Sequence, residues 1–213
     1  MYRLTRLTAS VLLFGVAGAL SACDGSGPDV DPQPIDAQRV SDLAADPIVG
    51  IDSTTGQPVG TGRFTFYSLR ENAVVPSSDS ATASWDIALR GTTILVNGGT
   101  SGPGAGAAQV WTGVFDDLLE APADGYAVDA AAGNAIPIGS GNGWYNYNPP
   151  LNLITPIPGR VIVLRTADGR YAKISVLSYY RGAPAAPDAT THEARYYTFD
   201  FVLQEDGTRS FVD

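Results

Sequence analysis

Cysteine, histidine, methionine and lysine are nearly absent from this chain. It has one cysteine, one histidine and one methionine, and Lys173 is its only lysine. Cys23 has no partner for an internal disulfide, so stability must rest on burial. With His192 as the only imidazole, no second histidine stands four residues away to make a zinc motif. Ser-His-Asp chemistry would have to use that same residue, with no Gly-x-Ser-x-Gly elbow to support it. The glycine run Gly102-Pro103-Gly104-Ala105-Gly106 lacks the Gly-x-Gly-x-x-Gly spacing, a following helix and a P-loop lysine, which excludes nucleotide binding of those types. Asp116, Asp117 and Glu120 are close enough to suggest paired carboxylates of a glycosidase, but acids clustered on a turn are usually a solvated face. EF-hand spacing is missing. Charged residues make up 16% of the chain and the net charge is −9, which argues against nucleic acid and against electrostatic docking on anionic lipid. The residues read as those of a protein that is not an enzyme.

What the chain does have begins at its N-terminus. Arg3 and Arg6 precede an uncharged apolar run from Leu7 to Leu20, which ends in Leu20-Ser21-Ala22-Cys23. A positive region, an apolar region and small residues before a cleavage point read as a secretory signal. A cysteine directly after them resembles a bacterial lipoprotein signal, in which the thiol is alkylated with diacylglycerol and the new amine is acylated. The competing reading, a plain membrane helix with an incidental cysteine, is disfavoured because the run is short for a span of about 20 residues. Residues 1–22 are therefore expected to be a signal peptide, Cys23 the lipidation site, and residues 23–46 a lipidated tether. Several acyl chains on one residue give stable attachment. Loss of Arg3 and Arg6 takes the mature chain from −9 to about −11. Residues 24–36 are polar and spaced by proline, with nothing to bury, and one helical turn is expected from Asp36 to about Leu43.

A single domain is expected over residues 47–213. The chain holds 24 glycines and 15 prolines, which favours turns over long helices, and its ten tyrosines and seven phenylalanines suit strands. Strands are predicted over 63–69, 84–89, 92–96 and 109–114, with a glycine-rich loop over 97–106, a short helical turn over 116–120 and a second flexible loop over 139–143. Val161 to Thr166 and Arg170 to Tyr180 are β-rich runs joined by Asp168-Gly169, a strong hairpin signal. A second hairpin is predicted from Tyr196–Gln204 through Glu205-Asp206-Gly207 to Thr208–Val212. In its first arm Tyr197, Phe199, Phe201 and Leu203 share one face. The predicted class is all-β, with antiparallel sheets built from hairpins.

Three pieces together resemble the HmuY-type haem-binding lipoproteins. They are Ser84-Trp85-Asp86-Ile87-Ala88-Leu89-Arg90 followed by Thr92–Val96 and Asn97-Gly98-Gly99-Thr100-Ser101-Gly102; the hairpin from Gly159 to Tyr180; and Tyr196-Tyr197-Thr198-Phe199-Asp200-Phe201 with Gln204, Asp206-Gly207 and Phe211. The resemblance covers most of residues 60–213. It implies an all-β lipoprotein of the bacterial outer membrane or cell surface, haem as ligand, and an outer-membrane haem receptor as partner in iron acquisition. The best-known members of that family hold iron between two histidines, and relatives use methionines. This chain departs from the pattern: one histidine and no methionine beyond Met1 exclude a two-residue ligation of that kind within one mature chain.

His192 is the candidate haem ligand, since neutral imidazole is a competent one; the competing reading is an exposed loop histidine. Tyrosine also ligates haem iron, which makes Tyr145 and Tyr147 candidates, with Tyr179 and Tyr180 as further ones, against the common role of strand aromatics in packing. No resident metal is expected. Trp85 and Ile87 are expected on one face, with Asp86 opposite, capping a turn or pairing with an arginine. The resulting expectation is a membrane-anchored haemophore-like protein. The alternative is a non-enzymatic surface module of the same fold that has lost haem ligation and binds another ligand or a protein partner.

Overall fold

A computed structural model describes residues 33–213. Its strands are β1 (Gln38–Ala44), β2 (Gly50–Ile51), β3 (Pro58–Val59), β4 (Thr65–Ser68), β5 (Ala73–Val75), β6 (Ile87–Arg90) and β7 (Thr93–Val96). They continue as β8 (Ala107–Thr112), β9 (Tyr145–Asn148), β10 (Leu153–Pro156), β11 (Arg160–Arg165), β12 (Tyr171–Tyr180) and β13 (Ala194–Gln204). The only helical pieces among the described residues are single 3₁₀ turns at Ser77–Asp79 and Pro149–Leu151. The all-β antiparallel class is as expected.

A five-stranded sheet runs in the order β1-β13-β12-β11-β8, and a four-stranded sheet in the order β5-β4-β6-β7. Two small hairpins, β2-β3 and β9-β10, complete the set. Register explains the core. Ile162, Ile174 and Phe201 stand side by side across β11, β12 and β13, and one residue along Val163, Lys173 and Val202 do the same. Period-two alternation sends the first row to one face and the second to the other. The first row joins the main core with Tyr197, Phe199 and Leu203, as the alternation of β13 predicted, and the four-stranded sheet adds Tyr67, Ile87, Leu89 and Val96. The second row packs in a smaller cluster with Leu118, Ala121, Val161 and Phe211. Both faces of the large sheet are thus covered.

The hairpin centred on Asp168-Gly169 forms as predicted, with Gly169 at a φ of 86° and its amide donating to Thr166 O at 3.0 Å. Asp86 is buried and accepts from the amides of Leu69 at 2.8 Å and Ala167 at 3.1 Å, so it caps two turns, and among the described residues no arginine forms an ion pair with it. Burial pushes its carboxyl above the usual value against those two bonds. The glycine-rich loop wraps the buried Asn97, which accepts from Gly104 N at 3.0 Å and donates to Trp85 O at 2.8 Å. A Cβ at Gly102 would collide with the Asn97 side chain, so the loop's composition is a packing requirement.

Three local expectations are corrected. The helical turn over 36–43 is instead edge strand β1, because pairing with β13 sets Val40 opposite Phe199 and Leu43 opposite Tyr197 and buries both. The large sheet therefore takes in residues upstream of Pro47. Residues 208–212 form no arm of a hairpin with β13, whose two edges are already taken by β12 and β1. They pair instead through Ser210 with Glu120 and through Val212 with Pro34. Residues 115–117 form a hydrogen-bonded turn, with Leu118 N donating to Phe115 O at 3.4 Å, and no helix follows.

Candidate functional site

A cleft of about 1420 Å³ opens where four parts of the chain meet. These are the tip of the β6-β7 hairpin, strands β9 and β10, the end of β12 with the following loop into β13, and the segment from Asp46 to Gly62. It exceeds the roughly 300–1,000 Å³ of an ordinary small-molecule pocket. His192, Tyr145 and Tyr147 all line it, as do Tyr179 and Tyr180. The fold therefore brings together three candidate residues that stand up to 47 positions apart in sequence. Cys23 lies outside the described residues.

Aromatic packing makes one wall rigid. Trp144 contacts Tyr145, Tyr179 and Tyr197 with ring centroids 5.0–5.9 Å apart. Three hydrogen bonds fix the β6-β7 tip to this cluster: Trp144 Nε1 donates to Thr92 O at 3.0 Å, the Tyr197 hydroxyl to Gly91 O at 2.9 Å, and the Thr92 hydroxyl to the Tyr145 hydroxyl at 3.3 Å. Burial raises the Tyr179, Tyr180 and Tyr197 hydroxyls above the usual phenol value, so these three stay protonated and are poor sources of a tyrosinate ligand. Tyr180 is further committed by accepting from Ile154 N at 3.1 Å. Tyr147 differs: it is 41% exposed, and its hydroxyl donates to the Asn152 side chain at 3.1 Å.

His192 is half-buried at the other wall. Its Nδ1 accepts from Asp188 N at 3.0 Å, which places the proton of a neutral ring on Nε2. The Asp188 carbonyl lies 3.3 Å from the same Nδ1. Moving the proton to Nδ1 would give up the Asp188 N–H bond, let Nδ1 donate to that carbonyl instead, and free Nε2 as a metal ligand, the usual arrangement of a ligating histidine.

The roof is the segment carrying β2 and β3. It presents Ile48, Ile51 and Val59, which are 42%, 62% and 39% exposed. Asp46 holds its base. The carboxylate accepts from the Thr61 amide at 2.6 Å, the Thr61 hydroxyl at 2.8 Å and Gly62 N at 3.1 Å. Arg195 donates to Asp46 O at 3.0 Å and Pro58 O at 3.3 Å. Burial works to raise the Asp46 carboxyl, but the Thr61 and Gly62 bonds and the Arg195 charge together hold it below the usual value. Sequence reasoning did not single out Asp46, Arg195, Arg90 or Thr93; all four line the cleft, and only their non-local neighbours reveal it.

The family model for HmuY protein matches residues 61–201. The chain belongs to the HmuY family. That match takes in β4 through most of β13, including Tyr145, Tyr147 and His192, whereas the roof residues 46–60 lie upstream of it. Among solved structures, apo PinO from Porphyromonas gingivitis is 19% identical, with 80% of this chain and 97% of that one covered and a TM-score of 0.45. An apo HmuY analogue of Tannerella forsythia is 15% identical, with 79% and 95% covered and a TM-score of 0.40. A protein of Bacteroides vulgatus described as HmuY-like and haem-binding is 20% identical, with 73% and 96% covered and a TM-score of 0.45. No curated protein matches the chain. For this HmuY-family chain the cleft offers an apolar roof, an aromatic wall, one imidazole, and two phenols that are not buried, those of Tyr147 and Tyr196.

Proposed function

We propose that this chain binds haem in the cleft between the β6-β7 tip, β9-β10 and the roof segment, and that it does so as a lipid-anchored extracytoplasmic protein of the haemophore type. The observation that carries the reading is the convergence of the chain's single histidine with Tyr145 and Tyr147 on one large cleft in an HmuY-family fold. Haem bound there would be held through its iron by side chains of the cleft. His192 would serve through Nε2, with Nδ1–H donating to the Asp188 carbonyl in place of the present Asp188 N–H bond to Nδ1. Tyr147 would be the better phenol ligand, because Tyr145 is buried and bonded to Thr92. Ile48, Ile51 and Val59 would cover the macrocycle face and exclude water. Acylation of Cys23 would hold the protein at the outer membrane or cell surface, where an outer-membrane haem receptor would take the cargo. No described helix is long and apolar enough to cross a membrane.

The test is a visible absorption titration of the purified mature protein with haemin. A high-spin ferric or tyrosinate-type spectrum is expected, altered by His192→Ala and separately by Tyr147→Phe. No spectral change at micromolar haemin would overturn the reading and leave the surface module that kept the fold without the ligand.

A further inference from the structure

Three guanidinium groups line the cleft, those of Arg90, Arg181 and Arg195, together with two carboxylates, those of Asp46 and Glu193. Two of the arginines are matched to the two acids. Arg181 Nε lies 2.7 Å from Glu193, and Arg195 Nη1 lies 3.7 Å from Asp46 while also serving two backbone carbonyls. Among the described residues no carboxylate pairs with Arg90. The cleft thus keeps one unmatched positive charge in a chain of net charge −9. That imbalance runs against the surrounding field and marks a place where an anion is favoured.

Arg90 is also held in position. Its guanidinium stacks 4.2 Å above the Phe64 ring, and Nη1 donates to Gly62 O at 3.2 Å. One of five N–H donors is committed there, and the stack fixes the plane of the others. Its backbone ends β6, at the hairpin tip that Trp144, Tyr197 and Thr92 pin to the aromatic wall. Thr93, directly opposite Arg90 in the register, lines the same cleft. A planar fork on a rigid support is the geometry that receives a carboxylate through two parallel hydrogen bonds.

We propose that Arg90 is the carboxylate receptor of the cleft, and that the ligand admitted there carries a carboxylate at the edge of a flat apolar body. The inference rests on the haem reading of the cleft and adds a requirement to it: a propionate must be free to meet Arg90. Iron ligation by His192 and carboxylate capture by Arg90 are separate interactions, so they can be told apart.

The experiment compares binding of haemin, haemin dimethyl ester and iron-free protoporphyrin IX to the mature protein and its Arg90 and His192 variants, read by tryptophan quenching. The unaltered protein is expected to prefer haemin over the diester by about tenfold, the scale of one charge-assisted hydrogen-bonded contact. Arg90→Gln should bring haemin down to the level of the diester, and Arg90→Lys, which keeps the charge without the fork, should restore part of the preference. Protoporphyrin IX should show the same dependence on Arg90 and none on His192. Raising the salt concentration should narrow the preference. Equal binding of haemin and diester, with haemin affected by His192→Ala but not by Arg90→Gln, would overturn the inference and leave the haem reading intact. Arg90-dependent binding of protoporphyrin IX, with haemin indifferent to His192, would support the receptor and overturn iron ligation by His192. Absence of binding by all three would overturn both.

Discussion

Asp46 and Thr61 are joined twice: the carboxylate accepts from the Thr61 amide at 2.6 Å and from its hydroxyl at 2.8 Å, closing the base of the segment that roofs the cleft. Because these bonds and Arg195 hold the folded carboxyl below its ordinary value of 3.8, the unfolded chain takes up a proton first as pH falls. The stabilisation is fully present above that value and is lost as pH drops through the folded one. Asp46→Asn should cost about 1–2 kcal/mol at neutral pH, since its amide would face the Gly62 N–H with a donor. Thermal melts should show the gap to the unaltered protein closing below about pH 4.

Gly169 sits at a φ of 86°, and a Cβ built there meets nothing within 4 Å. The penalty for a side chain is therefore one of backbone conformation alone. Gly169→Val should destabilise by about 1–2 kcal/mol and Gly169→Asn by less, because asparagine tolerates this region. Urea unfolding of the two variants checks the order.

The second face of the large sheet depends on an ion. Lys173 is 3% exposed, and its Nζ donates to Phe115 O at 2.7 Å and Leu118 O at 3.0 Å, with the Phe115 ring 4.4 Å away. Burial lowers its ammonium below the usual value, partly opposed by Asp116. Lys173→Met would leave two carbonyls without this donor, and a loss of about 1–3 kcal/mol is expected in chemical denaturation. Hydrogen exchange should rise over residues 114–119 before it rises in β11.

Cys23→Ala tests the anchor. Membrane fractionation should find the variant released, or its precursor uncut, because acylation at that residue is proposed as the sole attachment. Normal processing with membrane retention would refute it.

Legibility followed the distance over which each feature is decided. The β11-β12 hairpin was readable because Asp168-Gly169 and both flanking runs are contiguous. Strand β1 was not, because what makes residues 38–44 a strand is an edge of β13 some 160 positions away. The same non-local pairing denied residues 208–212 their predicted hairpin. At the cleft, His192 stands out in the sequence as the only imidazole, whereas Tyr145 and Tyr147 are two of ten tyrosines and became candidates only once the family resemblance implied haem. Their convergence could not be derived that way. Arg90 was visible only as the last residue of a strand motif; its role depends on which acids neutralise Arg181 and Arg195, a matter of tertiary geometry.

Lys173 is the only side-chain amine in the sequence, and the folded protein sequesters it under two aromatic rings. Amine-directed reagents should therefore spare this side chain in the native domain and label it once it opens. The protein carries its own covalent reporter of unfolding, at a single side chain and without an introduced probe. By the same token, Lys173 gives amine cross-linkers no hold on a native complex, whereas carboxylate-directed chemistry has the many acids of this chain to work with.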